Sequence, residues 1–83
     1  MKKLIYTSPY FMIFEQYIEK RKTPILYIVS CTNISLGQIK WYSSWRKFCF
    51  FPNTDTIWDN NCLTFLNSFI ESYNINWKNQ KHK

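Results

Sequence analysis

A stretch near the end of the sequence repeats apolar residues at the spacing of an amphipathic helix, and it constrains the fold more than any other feature. One side of this helix would carry the apolar residues Cys62, Leu66, Phe69, Ile70 and Tyr73, with Phe65 beside them. Asp59 or Asn60 is suited to cap the first turn, because a short polar side chain accepts hydrogen bonds from the free N–H groups there. The pattern predicts a helix that starts near residue 60 and packs one face on another element.

The sequence before this helix has the pattern of β-strands. Residues 25–31 form an apolar, β-branched run between a Pro-containing break and a turn, which predicts a strand. Residues 36–42 and 45–51 alternate on either side of Ser43-Ser44, which is typical of a hairpin. These segments predict a sheet that precedes the helix in the chain.

The predicted fold class is α+β, with a three- or four-stranded antiparallel sheet (a meander) and one C-terminal helix packed on one face. The strand count depends on residues 10–19, whose aromatic and β-branched content favours a strand. Ser8-Pro9 before them could instead cap a helix, so both alternatives remain. Residues 1–83 make one domain, with an ordered core over about residues 10–77 and a basic tail over residues 78–83. A chain this short needs large side chains for its core, and aromatic residues make up 20% of it.

The hairpin divides its residues between two faces. If Tyr42 pairs with Trp45, Lys40 lies opposite Lys47. The core face would carry Ile39, Trp41, Phe48 and Phe50, with Arg46 over Trp41 at the edge. Two lysines directly opposite each other are mildly destabilising, and an anionic partner is one cause that would offset them.

Charge is distributed unevenly along the chain, whose net charge is +6. Residues 23–51 contain three basic and no acidic residues, and residues 52–73 contain three acidic and no basic residues. Cations interleaved with aromatic rings are typical of a nucleic-acid-binding surface. The predicted partner-binding or nucleic-acid-binding residues are Lys40, Tyr42, Trp45 and Lys47 on the hairpin, with Lys20, Arg21 and Lys22. The alternative is that the strand lysines only keep an exposed face soluble.

Few side chains suit catalysis or metal binding. His82 is the only histidine and Gly37 the only glycine, which removes most His-dependent catalytic arrangements and Gly-rich phosphate loops. Cys31, Cys49 and Cys62 lack the close pairs of a zinc site and are an odd number for a disulfide framework. We therefore expect a protein that is not an enzyme and that holds no metal and no cofactor.

The first residues resemble the start of a signal peptide only briefly. Pro9 interrupts the apolar run early, and Glu15 and Gln16 follow within a few residues. No run approaches the roughly 20 apolar residues of a membrane span. We expect a cytoplasmic protein in a reducing compartment, with no membrane partner.

Four motifs stand in order within residues 25–73: LGQIKWY and WRKFCFFP over residues 36–52, then DTIW before the predicted helix and CL in its first turn. This block resembles a family of small uncharacterised proteins common in phages and prophages. The resemblance implies a small phage-encoded protein, a context in which host-directed inhibitors, anti-CRISPR proteins and nucleic-acid accessory proteins occur. It implies no particular activity.

Two functions fit these observations. The first is a non-enzymatic binding protein that engages a host protein or nucleoprotein, for example as an anti-defence inhibitor of the anti-CRISPR type in the host cytoplasm. The second is direct binding of DNA or RNA by the basic aromatic face of the sheet, with affinity that falls steeply with salt. The sequence leaves the oligomeric state open.

Overall fold

The computed structural model describes residues 2–80, which form an antiparallel sheet and one helix. The elements are β1 (Lys2–Thr7), β2 (Phe11–Gln16), β3 (Ile25–Ser30), β4 (Ser35–Tyr42), β5 (Lys47–Pro52) and α1 (Asn60–Asn79). The strands pair antiparallel in chain order, so the sheet is a meander. The predicted α+β class, the meander and the C-terminal helix are confirmed, and the sheet has five strands where three or four were expected.

The additional strand is β1, which the sequence pattern does not reveal. Its pairing with β2 contains a bulge between Leu4 and Tyr6, so that the neighbouring residues Ile5 and Tyr6 both pack against the core. A bulge breaks the period of two by which a strand is recognised in a sequence. The sheet thus begins before residue 10, where the ordered core was expected to start.

Residues 10–19, for which the sequence allowed either a strand or a helix, contain strand β2. Ser8 makes a turn at its start instead of capping a helix. The Ser8 hydroxyl accepts hydrogen bonds from the N–H groups of Tyr10 (3.2 Å) and Phe11 (3.1 Å), and the Ser8 N–H donates to the Phe11 carbonyl (2.9 Å). These bonds close the tight connection from β1 to β2.

Helix α1 starts and packs as its sequence pattern predicts. The Asp59 carboxylate accepts a hydrogen bond from the Cys62 N–H at 2.8 Å, which caps the first turn. The helix continues to Asn79, beyond Trp77 where the tail was expected to fray. Residues 81–83 of the predicted basic tail, including His82, lie outside the described residues.

The hydrophobic core lies between α1 and one face of the sheet. The sheet contributes Phe11, Ile13, Leu26, Ile28, Ile39 and Phe48, all at most 1% exposed, and α1 contributes Leu66. The residues predicted for the core face of the hairpin all lie in this layer, since Trp41 and Phe50 pack against the buried Ile39 and Phe48. The charged and polar side of α1 is exposed.

The register of the β4–β5 hairpin differs from the predicted one. Tyr42 pairs with Lys47 and Lys40 pairs with Cys49, so the predicted pairing of Lys40 with Lys47 is wrong. Residues 43–46 form the loop, which places Trp45 outside β5. A two-residue turn needs positive φ at its central residues, which serines do not favour, whereas here the positive φ falls on Arg46 at 55°. Because the shift is two residues, each side chain keeps its predicted face.

Gly37 stands where β4 comes very close to β5. A Cβ atom at this position would lie 2.7 Å from the Phe51 carbonyl oxygen and 2.9 Å from the Phe50 Cε1 atom. Gly37 pairs with Pro52 on β5 and with Ile28 on β3, so β4 is held between two strands at this point. The close pairing of these strands therefore depends on the absence of a side chain at Gly37.

We expect Gly37→Ala to lower the free energy of unfolding by about 1–3 kcal/mol, because the added methyl group must push β5 backbone aside. Urea unfolding followed by circular dichroism measures this change. Ser44→Ala in the exposed hairpin loop is the control and should change stability by less than about 0.5 kcal/mol. Equal stability of the two variants would contradict the assigned packing.

Candidate functional site

The sheet face turned away from α1, which we call the open face, carries a continuous row of large side chains. Each member of the row pairs with the next across neighbouring strands: Leu4, Phe14, Tyr27, Gln38 and Phe51. Paired residues on one face have their side chains about 5 Å apart, so the row forms one contiguous surface. Three of its five members are aromatic.

Two lysines lie on the rings of this row. The Lys2 Nζ atom lies 4.4 Å from the centre of the Tyr27 ring, and the Lys40 Nζ atom lies 4.8 Å from the centre of the Phe51 ring. An ammonium group at this distance from an aromatic face is held by the negative charge of the π-system. The open face thus presents rings and cations in direct contact with each other.

The strands place no carboxylate on the open face. Glu15 is the only acidic residue within β1 to β5, and it lies on the helix side, where it accepts a hydrogen bond from the Tyr73 hydroxyl at 2.6 Å. Within the strands, the cations of the open face therefore have no anionic neighbour on their own surface. Such a surface attracts a polyanion.

The hairpin loop extends the aromatic surface beyond the row. The Tyr42 ring lies edge-on to the Trp45 ring, with centres 5.1 Å apart, and to the Phe51 ring, with centres 6.2 Å apart. Trp45 is 66% exposed. A shallow cavity of about 260 Å³ is lined by Tyr42, Trp45, Cys49, Phe50 and Phe51.

The topology collects positive charge at one end of the sheet, which we call the basic end. The start of β1, the β2–β3 connection, the β4–β5 loop and the end of α1 all meet there. All nine Lys and Arg residues of the described chain lie in these connections or in the adjoining three residues of an element: Lys2, Lys3, Lys20, Arg21, Lys22, Lys40, Arg46, Lys47 and Lys78. The connections at the opposite end contain Asp55 and Asp59 and no Lys or Arg.

The structure brings together only some of the residues predicted for the site. Lys40, Tyr42 and Trp45 lie together at the open face near the basic end. Lys47 pairs with Tyr42 across the hairpin, and it also lines a cavity on the helix side of the hairpin. The loop residues Lys20, Arg21 and Lys22 are exposed in the β2–β3 connection at the basic end.

Sequence reasoning missed two members of the open face, Lys2 and Tyr27, and it placed Phe51 on this face without naming it as a binding residue. The alternation in residues 25–29 places Tyr27 opposite the buried Leu26 and Ile28, and this signal was available in the sequence. The contact of Lys2 with Tyr27 depends on strand β1, which no pattern revealed. The contact of Lys40 with Phe51 depends on the observed hairpin register.

Other kinds of site were sought in the same part of the chain. Within residues 2–80, no group of three or more His, Cys, Asp or Glu side chains is arranged to hold a metal ion. Cys31, Cys49 and Cys62 are free thiols. Over the same residues, no helix has the length and apolar character needed to cross a membrane.

Comparisons with protein-family models, with curated proteins and with solved structures find no match to this chain. Its function is therefore argued from the chemistry of the open face and the basic end. That chemistry consists of aromatic rings that can stack and of ammonium and guanidinium groups that can neutralise negative charge.

The Tyr73 hydroxyl fastens α1 to β2 through its 2.6 Å hydrogen bond to Glu15. Burial, and then this hydrogen bond, raise the pKa of Tyr73 well above its usual value. Burial and the charge of Glu15 also raise the pKa of Tyr17. The neutral tyrosine is therefore the form that the folded protein favours.

We expect Tyr73→Phe to lower the free energy of unfolding at neutral pH by about 1.5 kcal/mol, because a hydrogen bond to a charged group is lost. In the unmodified protein, stability should fall as the pH rises above about 10, since the unfolded chain then releases a proton that folded Tyr73 keeps. In Tyr73→Phe, the part of this loss of stability that comes from Tyr73 should be absent. Unfolding measured between neutral and alkaline pH tests both points, with the exposed Tyr10→Phe as control. An equally steep fall in Tyr73→Phe would contradict the assignment.

Proposed function

We propose that this protein is a non-enzymatic binding protein whose open face engages single-stranded nucleic acid. The observation that carries the proposal is the aromatic row across the sheet, with Lys2 and Lys40 lying on its rings and no carboxylate on that face. The charge of the basic end supports it, since a polyanion is the partner that such a charge attracts most strongly.

The mode of binding follows from the chemistry of the row. Every base has a flat face that stacks on an aromatic ring, and each stacked base contributes about 1–3 kcal/mol. Tyr27 and Phe51 are the rings that the lysines now cover. On binding, bases take the place of the ammonium groups on these rings, and the ammonium groups move to the neighbouring phosphates. The cations of the empty face thus become phosphate ligands.

The shape of the open face favours a single strand over a duplex. A five-stranded sheet is roughly 19 Å wide at about 4.8 Å per strand spacing, whereas the major groove of B-DNA is about 12 Å wide and admits a helix or a two-stranded ribbon. The rings of the row point out of a broad face, where unpaired bases can reach them. Stacking on such a face carries little base specificity, so the proposed binding is tolerant of sequence.

The test is the binding of a fluorescein-labelled oligothymidylate, followed by fluorescence anisotropy over a range of salt concentrations. We expect Lys40→Gln to lower the slope of log affinity against log salt by about 1, because one phosphate contact is lost. Tyr27→Leu should weaken binding about tenfold at every salt concentration, because a stacked base is lost while an apolar side chain remains.

Lys3→Gln is the matched control, because it also removes one lysine charge at the basic end, but from the helix side of the sheet. It should leave the slope nearly unchanged. Binding that does not weaken between about 50 and 200 mM salt would contradict the proposal. So would equal effects of Lys40→Gln and Lys3→Gln.

A second candidate function is the binding of a host protein in the host cytoplasm, as an anti-defence inhibitor of the kind that the family resemblance implies. The observation that favours it is Trp45, which is 66% exposed beside Tyr42 on the hairpin loop. Exposed Trp and Tyr side chains carry much of the binding energy in protein interfaces. This candidate uses the loop, whereas nucleic-acid binding uses the row across the sheet.

Capture of partners from host lysate, with and without nuclease treatment, separates the two functions. A specific partner that survives nuclease, is lost with Trp45→Ala and is kept by Lys40→Gln would support a host protein. We expect Trp45→Ala to weaken such a complex by about 2 kcal/mol or more, as an anchor residue does. Capture that nuclease abolishes would support nucleic acid instead, and capture unchanged by Trp45→Ala would contradict the second candidate.

A further inference from the structure

A cavity of about 510 Å³ lies on the helix side of the hairpin, between the hairpin loop and the last turns of α1. Its lining residues are Trp41, Arg46, Lys47, Asn74, Trp77 and Lys78. It shares none of the rings of the open face. Its size falls within the range of about 300–1,000 Å³ that is usual for small-molecule sites.

Two tryptophans form the apolar wall of this cavity, and both are held by Phe48. The Trp41 ring lies edge-on to the Phe48 ring with centres 5.3 Å apart, and the Trp77 ring lies edge-on to it with centres 5.1 Å apart. Phe48 itself is 1% exposed. The wall is therefore fixed by the core before any ligand arrives.

Asn74 holds the cavity to the edge of the sheet. Its Oδ1 atom accepts a hydrogen bond from the Phe48 N–H at 2.8 Å, and its Nδ2 atom donates to the Phe48 carbonyl at 3.1 Å. These two bonds occupy one donor and one acceptor of the Asn74 amide. The other lining groups of the cavity are indoles and cations, which supply most of the contacts that it offers to a ligand.

Positive charge surrounds the apolar wall. Arg46, Lys47 and Lys78 line the cavity, and no acidic residue of the described chain does. The last turn of α1 carries a partial negative charge that Lys78 offsets, so Arg46 and Lys47 supply the net charge. Arg46 is placed by its left-handed backbone (φ 55°), which its N–H stabilises by donating to the Tyr42 carbonyl at 2.9 Å.

We propose that this cavity binds a nucleoside phosphate, with the base stacked on an indole and the phosphate held by Arg46 and the neighbouring lysines. An apolar aromatic wall beside three cations fits a flat ring that carries negative charge. The binding should depend little on the base, because every base can stack on an indole. The same chemistry is present in a free nucleotide and in the 5′-phosphate end of a strand.

The first arm of the test is titration of the folded protein with ATP, AMP and adenosine in the absence of divalent cations, followed by calorimetry. We expect affinity to rise with phosphate number and AMP to bind about tenfold more tightly than adenosine, because one charge-assisted contact is gained. The second arm compares a 5′-phosphorylated oligothymidylate with its 5′-hydroxyl counterpart. Tight AMP binding supports a free nucleotide, and a preference for the phosphorylated strand without AMP binding supports a strand end.

Arg46→Gly is the decisive variant, because glycine adopts the left-handed backbone without strain and the guanidinium is removed. It should keep or raise the melting temperature and weaken AMP or 5′-phosphate binding about tenfold. Arg21→Gly in the β2–β3 connection is the matched control and should leave this binding unchanged. Lys40→Gln should leave AMP binding and the preference for the phosphorylated strand unchanged, although it weakens binding of the oligothymidylate itself, so the cavity and the open face can be tested separately.

Three results would overturn the proposal. One is the absence of binding by AMP, ATP and the phosphorylated strand end alike. Another is equal affinity for AMP and adenosine. The third is an equal loss of AMP or 5′-phosphate binding in Arg46→Gly and Arg21→Gly, which would indicate a diffuse attraction to the basic end instead of a site.

Discussion

The contacts of Phe48 are the interaction on which the rest of this structure depends. Its ring is buried and has Trp41, Tyr73 and Trp77 edge-on around it, so it joins the hairpin to α1. Its backbone N–H and carbonyl face away from β4 on the outermost strand, and the Asn74 amide satisfies both. An unsatisfied strand edge can bind other strands, and here a side chain of the helix satisfies one residue of that edge. The same residue thus supports the core, the sheet edge and the wall of the cavity.

The number of helices determines what the sheet can present. One helix, α1, packs on one face of the five-stranded sheet, and no second helix within residues 2–80 covers the other face, which is left to its own side chains. Phe14, Tyr27 and Phe51 are half-buried on that face beside their neighbours, and lysine ammonium groups lie over Tyr27 and Phe51. An aromatic surface next to cations is the result of a small chain that has only one helix and therefore leaves the second face of its sheet uncovered.

The sequence predicted the elements whose pattern is local and missed those that depend on pairing. The cap at Asp59 and the apolar stripe of α1 are local, and both are as expected. The hairpin faces survive an error in register because the error is two residues, the period of a strand. Strand β1 was missed because its bulge breaks the alternation. Within the candidate site, Lys40, Tyr42 and Trp45 were found, whereas the contact of Lys2 with Tyr27 and the place of Lys47 at the cavity appear only when the elements are placed side by side.

The separation of charge between the two ends of the sheet gives the molecule a permanent electric dipole that runs along its strands. Nine cationic residues lie at one end, and the connections at the other contain only Asp55 and Asp59 as charged groups. In the field of an extended polyanion, such a dipole experiences a torque that turns the basic end forward while the two are still about a Debye length apart. The protein therefore approaches in one orientation before any side chain makes contact.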